Sequence, residues 1–424
     1  MNFEPTRQLQ VSRILSNGQK VSVGTLAQNS EQVYFSYHAD YVEKFGNLSP
    51  FAMKLDTSLQ LAPKQPHFGL HGVFADSLPD GWGLLLQDRF FRQKGILPQH
   101  VTAMDRLAFV GDRGIGALIF EPSKVIERDQ LDYAQLGLAA QAVFDGQTED
   151  ILEALLTAGS SGGARPKAQI FMPKSGEAIA RSQPNFNDEA WIIKFTSKNL
   201  PLGHEEGLCE AIYLTMAEQA QLKPCQWRLL DAPATSGAAQ WLALKRFDWV
   251  NNENGVGRYH QHSLSGLLNA DFRLPSLDYE DLIKASKSLC QSQNVAEIQF
   301  RRAIFNLFSS NQDDHGKNWA FLQNDQGEWK VSPFYDVTFS PHPFGEHSTA
   351  FGGFGKKPSV KAMQKLAQRA GLSWSETQKI IQQILDALSQ FPVLARDFGV
   401  KNSTVKLIQN ELNRIWGENK TLLD

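Results

Sequence analysis

Apolar and polar residues alternate along the first part of the chain, in short runs separated by turn formers. The runs LQVSRIL, KVSVGTL and QVYFSYH lie between Leu9 and about Asp56, and Asn17-Gly18 stands between the first two. A period of two with such turns predicts antiparallel strands joined by hairpins. Further along, Pro79-Asp80-Gly81 marks a turn, and helical spacing after it predicts a buried helix from about Trp82.

The middle of the chain mixes strand and helix patterns, and the last part is mostly helical from about Tyr279 onward. One exception is the stretch 319–337, where Asp325-Gln326-Gly327 predicts the turn of a hairpin. A strand-rich half thus precedes a helix-rich half. The middle elements are predicted as turns before a strand at 109–122, a helical stretch at about 131–158, a small-residue loop running into a strand at 159–172, a buried strand at 191–195, an amphipathic helix at 207–222 and a third strand at 241–249.

Size and composition are those of a globular protein with more than one packed unit. The chain has 424 residues, beyond the length at which a single core usually keeps growing, so two or three units are expected. Hydrophobic residues make up 42% and charged residues 21%, which excludes disorder as a global description. The formal charge of -3 disfavours DNA binding by this chain alone and attraction to an anionic membrane.

Cysteine usage and the N-terminus bear on the compartment. The three cysteines are odd in number and widely spaced, which fits a reducing environment and forms no zinc pattern. The first ten residues, MNFEPTRQLQ, lack the apolar core of a signal peptide, and no segment approaches the ~20 apolar residues that span a bilayer. We therefore expect a cytoplasmic protein without a membrane partner.

The strongest chemical signal is the polar stretch DDHGKN, residues 313–318, between two apolar runs. Asp313 and Asn318 have the five-residue spacing of the catalytic Asp and metal-binding Asn in H-R-D-x-x-x-x-N of protein kinases. Asp336 follows 23 residues after Asp313, roughly where a kinase has its second magnesium ligand. In this interpretation Asp313 deprotonates the acceptor hydroxyl and Lys317 steadies the transferring phosphoryl group.

A candidate nucleotide half of the site lies upstream. The run Gly159–Lys167 is flexible enough for backbone N–H groups to turn toward phosphate oxygens, although it is not a Walker A loop. Lys194 in WIIKF resembles the V-A-I-K lysine of kinases, whose partner is a helix glutamate. The helix that follows supplies Glu210 within its amphipathic pattern, and Glu205 and Glu206 precede it.

Each of these signals alone also has a plain structural explanation, as a connecting loop, a surface lysine or a capping acid. Asp314 is either a solvated neighbour or a rival for the base, and His315 is either structural or catalytic. A metal-dependent hydrolase using Asp313, Asp314, His315 and Asp336 is the alternative enzyme class. The order of the signals, which is the order that a bilobal kinase requires, favours phosphoryl transfer from ATP with Mg²⁺.

With these residues in place, the chain resembles the HipA family of serine/threonine-kinase toxins from bacterial type II toxin–antitoxin systems. The resemblance covers nearly the whole length. It is carried by seven ordered motifs, FADSLPDGWG (74–83), VGDRGIGAL (110–118), SSGGARPKA (160–168), IIKF (192–195), KRFD (245–248), DDHGKN (313–318) and PFYDV (333–337).

The resemblance implies an α+β, kinase-like bilobal fold with an N-terminal β-rich subdomain (1–122), a mixed α/β N-lobe (123–247) and an all-helical C-terminal lobe (248–424). It implies Asp313 as the catalytic acid, beside the Lys317 predicted above, and Asn318 and Asp336 as magnesium ligands. It places the ATP-contacting lysine at Lys194 and the adenine-side hinge near Lys245 to Phe247. Together with the upstream signals, the residues predicted to contact ATP are Ser161, Gly162, Gly163, Ala164, Arg165, Lys167, Lys194, Glu210, Lys245, Phe247 and His315.

The family also implies regulation and partners. A serine at the start of the small-residue loop is autophosphorylated and displaces the loop, and Ser160 is the best match, with Ser161 left open beside it. The added charge of about -1.5 to -2 would fall in a loop that cradles the like-charged ATP tail, with Arg165 and Lys167 as its natural partners. Family members phosphorylate a translation component, notably the aminoacyl-tRNA synthetase for glutamate, and pair with a helix-turn-helix antitoxin that binds operator DNA. A non-catalytic co-repressor with a kinase-like fold is the remaining alternative.

Overall fold

The computed structural model describes residues 4–123, 130–148, 153–158, 162–174, 179–185, 187–252 and 255–424. The N-terminal part is built on an antiparallel sheet with the strand order β4-β3-β2-β1-β5. The predicted alternation is confirmed, because Leu9 and Val11 of the first strand are fully buried. Its elements are β1 (Gln8–Ile14), β2 (Lys20–Gln28), β3 (Val33–Tyr37), α1 (Ala39–Lys44), β4 (Gln60–Leu61), α2 (Gly72–Ala75), α3 (Gly81–Gln93), α4 (Ala103–Val110) and β5 (Leu118–Glu121).

The middle part is a second antiparallel sheet with the order β10-β11-β9-β7-β8-β6. The strand predicted after the small-residue loop and the strand at WIIKF are both present, and they lie side by side, since Lys167 pairs with Lys194. The elements are β6 (Gln130–Leu131), α5 (Tyr133–Phe144), α6 (Glu153–Thr157), β7 (Lys167–Pro173), β8 (Ala180–Arg181), β9 (Asp188–Lys194), α7 (Glu206–Gln219), β10 (Trp227–Asp231) and β11 (Gln240–Lys245).

The last part is mostly helical, and it also contains a small sheet with the order β14-β16-β17. The predicted hairpin is confirmed, because β16 and β17 flank the turn at Asp325-Gln326-Gly327. The elements are β12 (Trp249–Asn252), β13 (Gly255–Arg258), β14 (His260–Ser263), α8 (Leu264–Leu267), β15 (Leu277–Asp278), α9 (Tyr279–Cys290), α10 (Asn294–Ser309), β16 (Ala320–Gln323), β17 (Trp329–Val331), β18 (Thr349–Ala350), α11 (Val360–Arg369), α12 (Trp374–Leu388), α13 (Phe391–Asp397) and α14 (Asn402–Asn419).

Two local differences from the sequence prediction have physical causes. Phe109 and Val110 were expected in turns before a strand, but they end α4, which begins at a capping box formed by Thr102 and Asp105. The C-terminal lobe is not all-helical as the resemblance implied, because β14 of this lobe pairs with β16 of the hairpin.

Among the described residues, no helix is long and apolar enough to cross a membrane.

The middle sheet lies between two apolar layers. One face packs on α3, α5 and α6 through residues such as Trp82, Trp191 and Trp241. The other face shares its core with α7 and the C-terminal helices, through residues such as Leu242 and Leu244 of β11. Helix α3 of the N-terminal part therefore belongs to the core of the middle sheet, and Lys194 at the end of β9 is placed where the two lobes meet.

A buried polar cluster joins the N-terminal sheet region to the C-terminal lobe. Asp76 accepts hydrogen bonds from His262 Nδ1 at 2.6 Å, from the Ser263 backbone N–H at 2.7 Å and from Ser263 Oγ at 2.6 Å. His262 Nε2 lies 2.9 Å from Ser49 Oγ. Because Ser49 and His262 are fully buried, this arrangement is closed to substrates and acts as a joint between the two regions.

We expect Asp76→Ala to lower the free energy of unfolding by about 3 kcal/mol, since it leaves several buried donors without an acceptor. Urea denaturation followed by tryptophan fluorescence measures this. Glu31→Ala, which removes an exposed carboxylate of the same subdomain, is the control. Equal midpoints for the two variants would contradict the role of the joint.

Candidate active site

A buried ion pair links the middle sheet to helix α7. Lys194 ends strand β9, and its Nζ lies 2.6 Å and 2.8 Å from the two carboxylate oxygens of Glu210. Lys194 is 7% exposed and Glu210 1% exposed. The structure therefore brings together the strand lysine and the helix glutamate that the sequence singled out, and it selects Glu210 from the three carboxylates considered.

Asp336 is the second anion on the same lysine. Its Oδ1 lies 2.5 Å from Lys194 Nζ. Burial would raise the pKa of Asp336, but the ammonium groups of Lys194 and Lys167 outweigh it and hold that pKa well below its usual range. Asp336 also has a φ of 55°, the left-handed region that costs a non-glycine residue about 1–2 kcal/mol. This conformation accompanies the contact of the Asp336 carboxylate with Lys194.

The described part of the small-residue loop, residues 162–167, lies against the first turn of α3. The Trp82 backbone N–H donates to Gly163 O at 3.0 Å, and the Trp82 indole N–H donates to Lys167 O at 2.9 Å. Lys167 Nζ donates to Gly162 O at 2.6 Å, and burial lowers the pKa of Lys167 to about 8. The loop cation therefore points back at its own backbone, within the field of Asp336.

Arg165 carries a further positive charge into the cleft. Its guanidinium lies 3.0 Å from a carboxylate oxygen of Glu206, at the first turn of α7. Burial opposes the charge, but Glu206, then Glu210, Asp336 and Asp313, raise the pKa of Arg165. Arg165 thus stands among the carboxylates of both lobes, and Glu206 is a partner that sequence reasoning did not assign.

Asp313 is the exposed acid of the DDHGKN segment. Its side chain is 63% exposed, and His315 Nε2 lies 3.6 Å from its Oδ1. Asn318 Nδ2 donates to the backbone carbonyl of Asp313 at 2.7 Å, which leaves the amide oxygen outside this hydrogen bond. Tyr335 Oη donates to Lys317 O at 2.7 Å. Asn318 and Asp336 are the next residues along the chain, so this bond ties together the two segments that carry the predicted metal ligands.

Asp314 is buried and fully engaged, which removes it as a rival for the base. Its carboxylate accepts from Tyr279 Oη, from His347 Nδ1 at 2.9 Å and from the backbone N–H groups of Ser348 and Thr349 at 2.8 Å and 3.2 Å. The side chain is 0% exposed. Asp314 therefore anchors the segment that presents Asp313.

Lys317 has a partner that the sequence did not indicate. Its Nζ lies 2.8 Å from Oδ2 of Asp80, the residue before α3, and 4.6 Å from the centre of the Phe272 ring. Asp80 was interpreted as part of a turn. The hint in the sequence was its position inside FADSLPDGWG, one of the motifs shared with the family.

The two predicted hinge residues, Lys245 and Phe247, lie in different places, because β11 ends at Lys245 and Phe247 follows the strand. Leu242 pairs with Lys194 and faces the same side, so Lys245, three positions further on, points to the opposite face. There its Nζ lies 2.6 Å from Glu189 Oε1. Phe247, by contrast, packs on Tyr335 beside the cleft, with ring centres 5.3 Å apart. The side chain of Lys245 is therefore not brought to the site, whereas Phe247 is.

The loop serines assigned from the sequence, Ser160 and Ser161, lie outside the described residues. In the described ranges, no group of three or more His, Cys, Asp or Glu side chains is placed to hold a metal ion. The proposed magnesium set is of another kind, one carboxylate and one amide, which suits an ion that takes a few protein oxygens and completes its shell with phosphate and water. The residues present therefore fit Mg²⁺ held together with a nucleotide, through Asn318 and Asp336.

A buried strand lysine on a helix glutamate, an acid on the same lysine and an exposed D-x-x-x-x-N segment define a kinase-like protein. Family models match the chain at 14–121, as a HipA N-terminal domain, and at 159–391, as a HipA-like C-terminal domain. The chain belongs to the HipA family. The predicted family and the kinase-like fold class are confirmed.

The comparisons with solved structures concern the fold. The HipA chain of Shewanella oneidensis MR-1, solved with HipB and operator DNA, is similar with a TM-score of 0.69 and 15% identity over 96% of both chains. The Helicobacter pylori proinflammatory kinase CtkA covers 56% of this chain and 90% of its own, with a TM-score of 0.37 and 12% identity. A comparison with curated protein sequences gives no match. The first likeness shows that the fold extends over nearly the whole chain.

We expect the same substitution, Asp to Asn, to change the free energy of unfolding by different amounts at the adjacent residues Asp313 and Asp314. We expect Asp314→Asn to lower the free energy of unfolding by about 3 kcal/mol, because an amide nitrogen would face buried donors. Asp313→Asn, on an exposed side chain, should stay within about 0.5 kcal/mol of the unaltered protein. Urea denaturation compares them, and similar losses would contradict the assignment of Asp314 as an anchor.

Proposed function

We propose that this chain is an ATP- and Mg²⁺-dependent protein serine/threonine kinase. The observation that carries the proposal is the bridge of Lys194 between Glu210 and Asp336. Burial disfavours the ammonium, but Asp336 and Glu210 outweigh it and raise the pKa of Lys194, so the lysine stays charged. A charged lysine fixed by a helix glutamate is the arrangement that kinases use on the α- and β-phosphates of ATP.

The other half of the proposal concerns the acceptor. Asp313 is exposed and lies beside the cleft cations, so a hydroxyl on the surface of another protein has access to it. In this role the carboxylate accepts the hydroxyl proton as the oxygen attacks the γ-phosphorus, the bond from that phosphorus to the bridging β-phosphate oxygen breaks, and ADP leaves. Lys317 and Arg165 supply positive charge where negative charge develops on the transferring group. Bound Mg²⁺ would neutralise phosphate charge, held through Asn318 and Asp336.

We extend the proposal to a toxin–antitoxin role. The family match and the likeness to a HipA solved with HipB and operator DNA support a helix-turn-helix antitoxin as partner, with DNA bound mainly through that complex. Autophosphorylation of Ser160 would switch the kinase off, and a translation component such as an aminoacyl-tRNA synthetase is the proposed substrate. A cytoplasmic location is part of this proposal.

The competing classes find less support among these contacts. A hydrolase would need Asp313 and Asp314 on one metal, yet Asp314 is turned into a buried network. A non-catalytic co-repressor would leave the exposed Asp313 and the strained backbone at Asp336 without a chemical role.

The kinase assignment is tested by incubating the purified protein with ATP and Mg²⁺ and measuring its intact mass. We expect an added phosphate, mapped by peptide mass spectrometry to Ser160, with Ser160→Ala and Ser161→Ala deciding between the two serines. Asp313→Asn should remove the phosphate, because the base is lost. Lys194→Met should weaken ATP binding in calorimetry by tenfold or more, because a charge-assisted contact is lost.

Lys198→Met is the matched control, since Lys198 is an exposed lysine four residues from Lys194. It should keep both the phosphate and the ATP affinity. An unmodified mass for the folded protein, together with no ATP binding, would overturn the kinase proposal.

A further inference from the structure

Asp80 connects three parts of the cleft with one carboxylate. Its Oδ1 accepts a hydrogen bond from the backbone N–H of Gly163 in the nucleotide loop. Its Oδ2 lies 2.8 Å from Lys317 Nζ in the DDHGKN segment. Asp80 itself belongs to the N-terminal region, immediately before α3, and is 8% exposed. A residue 237 positions away in sequence from Lys317 thus fixes both the loop and the cation.

The geometry around this carboxylate is close-packed. A side chain at Gly81, where φ is 43°, would come within 2.6 Å of Gly163 O and 2.7 Å of Ala164 Cα, so only glycine allows the approach. A Cβ at Gly162 would lie 3.0 Å from an Asp80 oxygen. The loop therefore rests directly on the Asp80–Trp82 backbone and on the carboxylate.

The Asp80 side chain does not cap helix α3, although Asp80 stands at the N-cap position. It is the N-cap residue of α3, where an aspartate normally accepts from the first backbone N–H groups of its own helix. In the part of the chain that the structure describes, it makes no such capping bond, and its two oxygens go to the loop and to Lys317. The helix gives up about 1 kcal/mol of capping, and the contacts across the cleft take its place.

Lys317 is held from two directions as a result. The carboxylate of Asp80 lies on one side and the face of the Phe272 ring lies 4.6 Å from Nζ. A flexible lysine loses most of its freedom in such a setting, so its charge points to a defined place before substrate arrives.

We propose that Asp80 is a positioning residue for phosphoryl transfer. Its contact with Gly163 fixes the position of the small-residue loop, and its contact with Lys317 fixes the direction of the Lys317 ammonium. This inference rests on the proposed kinase function and adds to it a contribution from the N-terminal region. The two roles separate chemically, because the loop contact needs only an acceptor oxygen whereas the Lys317 contact needs a negative charge.

The test compares Asp80→Asn and Asp80→Ala in steady-state phosphorylation of a serine peptide or of the protein's own loop. Asn keeps an acceptor for Gly163 and loses the charge, so we expect kcat to fall about tenfold with the KM for MgATP within about twofold. Ala loses both, so we expect the same fall in kcat and a rise in KM of about tenfold. Hydrogen exchange of the loop peptide should speed up in Asp80→Ala and stay slow in Asp80→Asn.

Two further variants make the result specific. Asp88→Asn, in the helix that follows Asp80, breaks the 2.6 Å pair with Arg106 of α4 and should leave both constants within about twofold. Lys317→Met combined with Asp80→Asn should have the same kcat as Lys317→Met alone, because the charge acts through that lysine.

The outcomes are distinguishable. A wild-type protein without phosphoryl transfer contradicts the proposed function, and the positioning role falls with it. An active wild type with unchanged constants and loop exchange in both Asp80 variants overturns the positioning role alone. A fall in kcat that matches the unfolded fraction in both variants, with an unchanged KM in Asp80→Ala, also overturns it, since such a fall would report stability.

Discussion

The candidate site depends on one buried ammonium. Lys194 is in contact with Glu210 and Asp336, and an isolated charge at 7% exposure would be too costly to bury without them. The contact ties the end of β9 to α7 and to the segment before Asp336, so a single lysine holds sheet, helix and C-terminal lobe in register. The loop cations Arg165 and Lys167 then lie in the field of the same carboxylates.

Local sequence patterns predicted those features of the structure that depend on residues close together in the chain. Alternation predicted β1 to β3, small residues predicted the loop before β7, and the spacing of Asp313 and Asn318 placed them on one segment. Local patterns could not tell the roles of the adjacent acids Asp313 and Asp314 apart. Asp314 is buried and Asp313 is exposed, and the burial of Asp314 depends on Tyr279 and His347, which are more than 30 residues away.

Long-range register accounts for the other differences. The side of the sheet that Lys245 faces follows from the pairing of Leu242 with Lys194, and strand pairing is not encoded within either strand. The role of Asp80 was hidden for the same reason, since its partners lie at Gly163 and Lys317. The sequence therefore indicated which polar residues are candidates for the site, and the three-dimensional packing determines which of them are in contact.

The contact of Trp82 with the nucleotide loop changes what counts as the minimal functional unit. Trp82 donates to Gly163 and Lys167 and is packed into the core of the middle sheet, so the N-terminal region supplies a wall of the cleft. A shortened chain that began after residue 123 would expose that core and leave the loop unsupported. A chimera of two relatives that takes α3 and the loop from the same parent would keep these contacts intact.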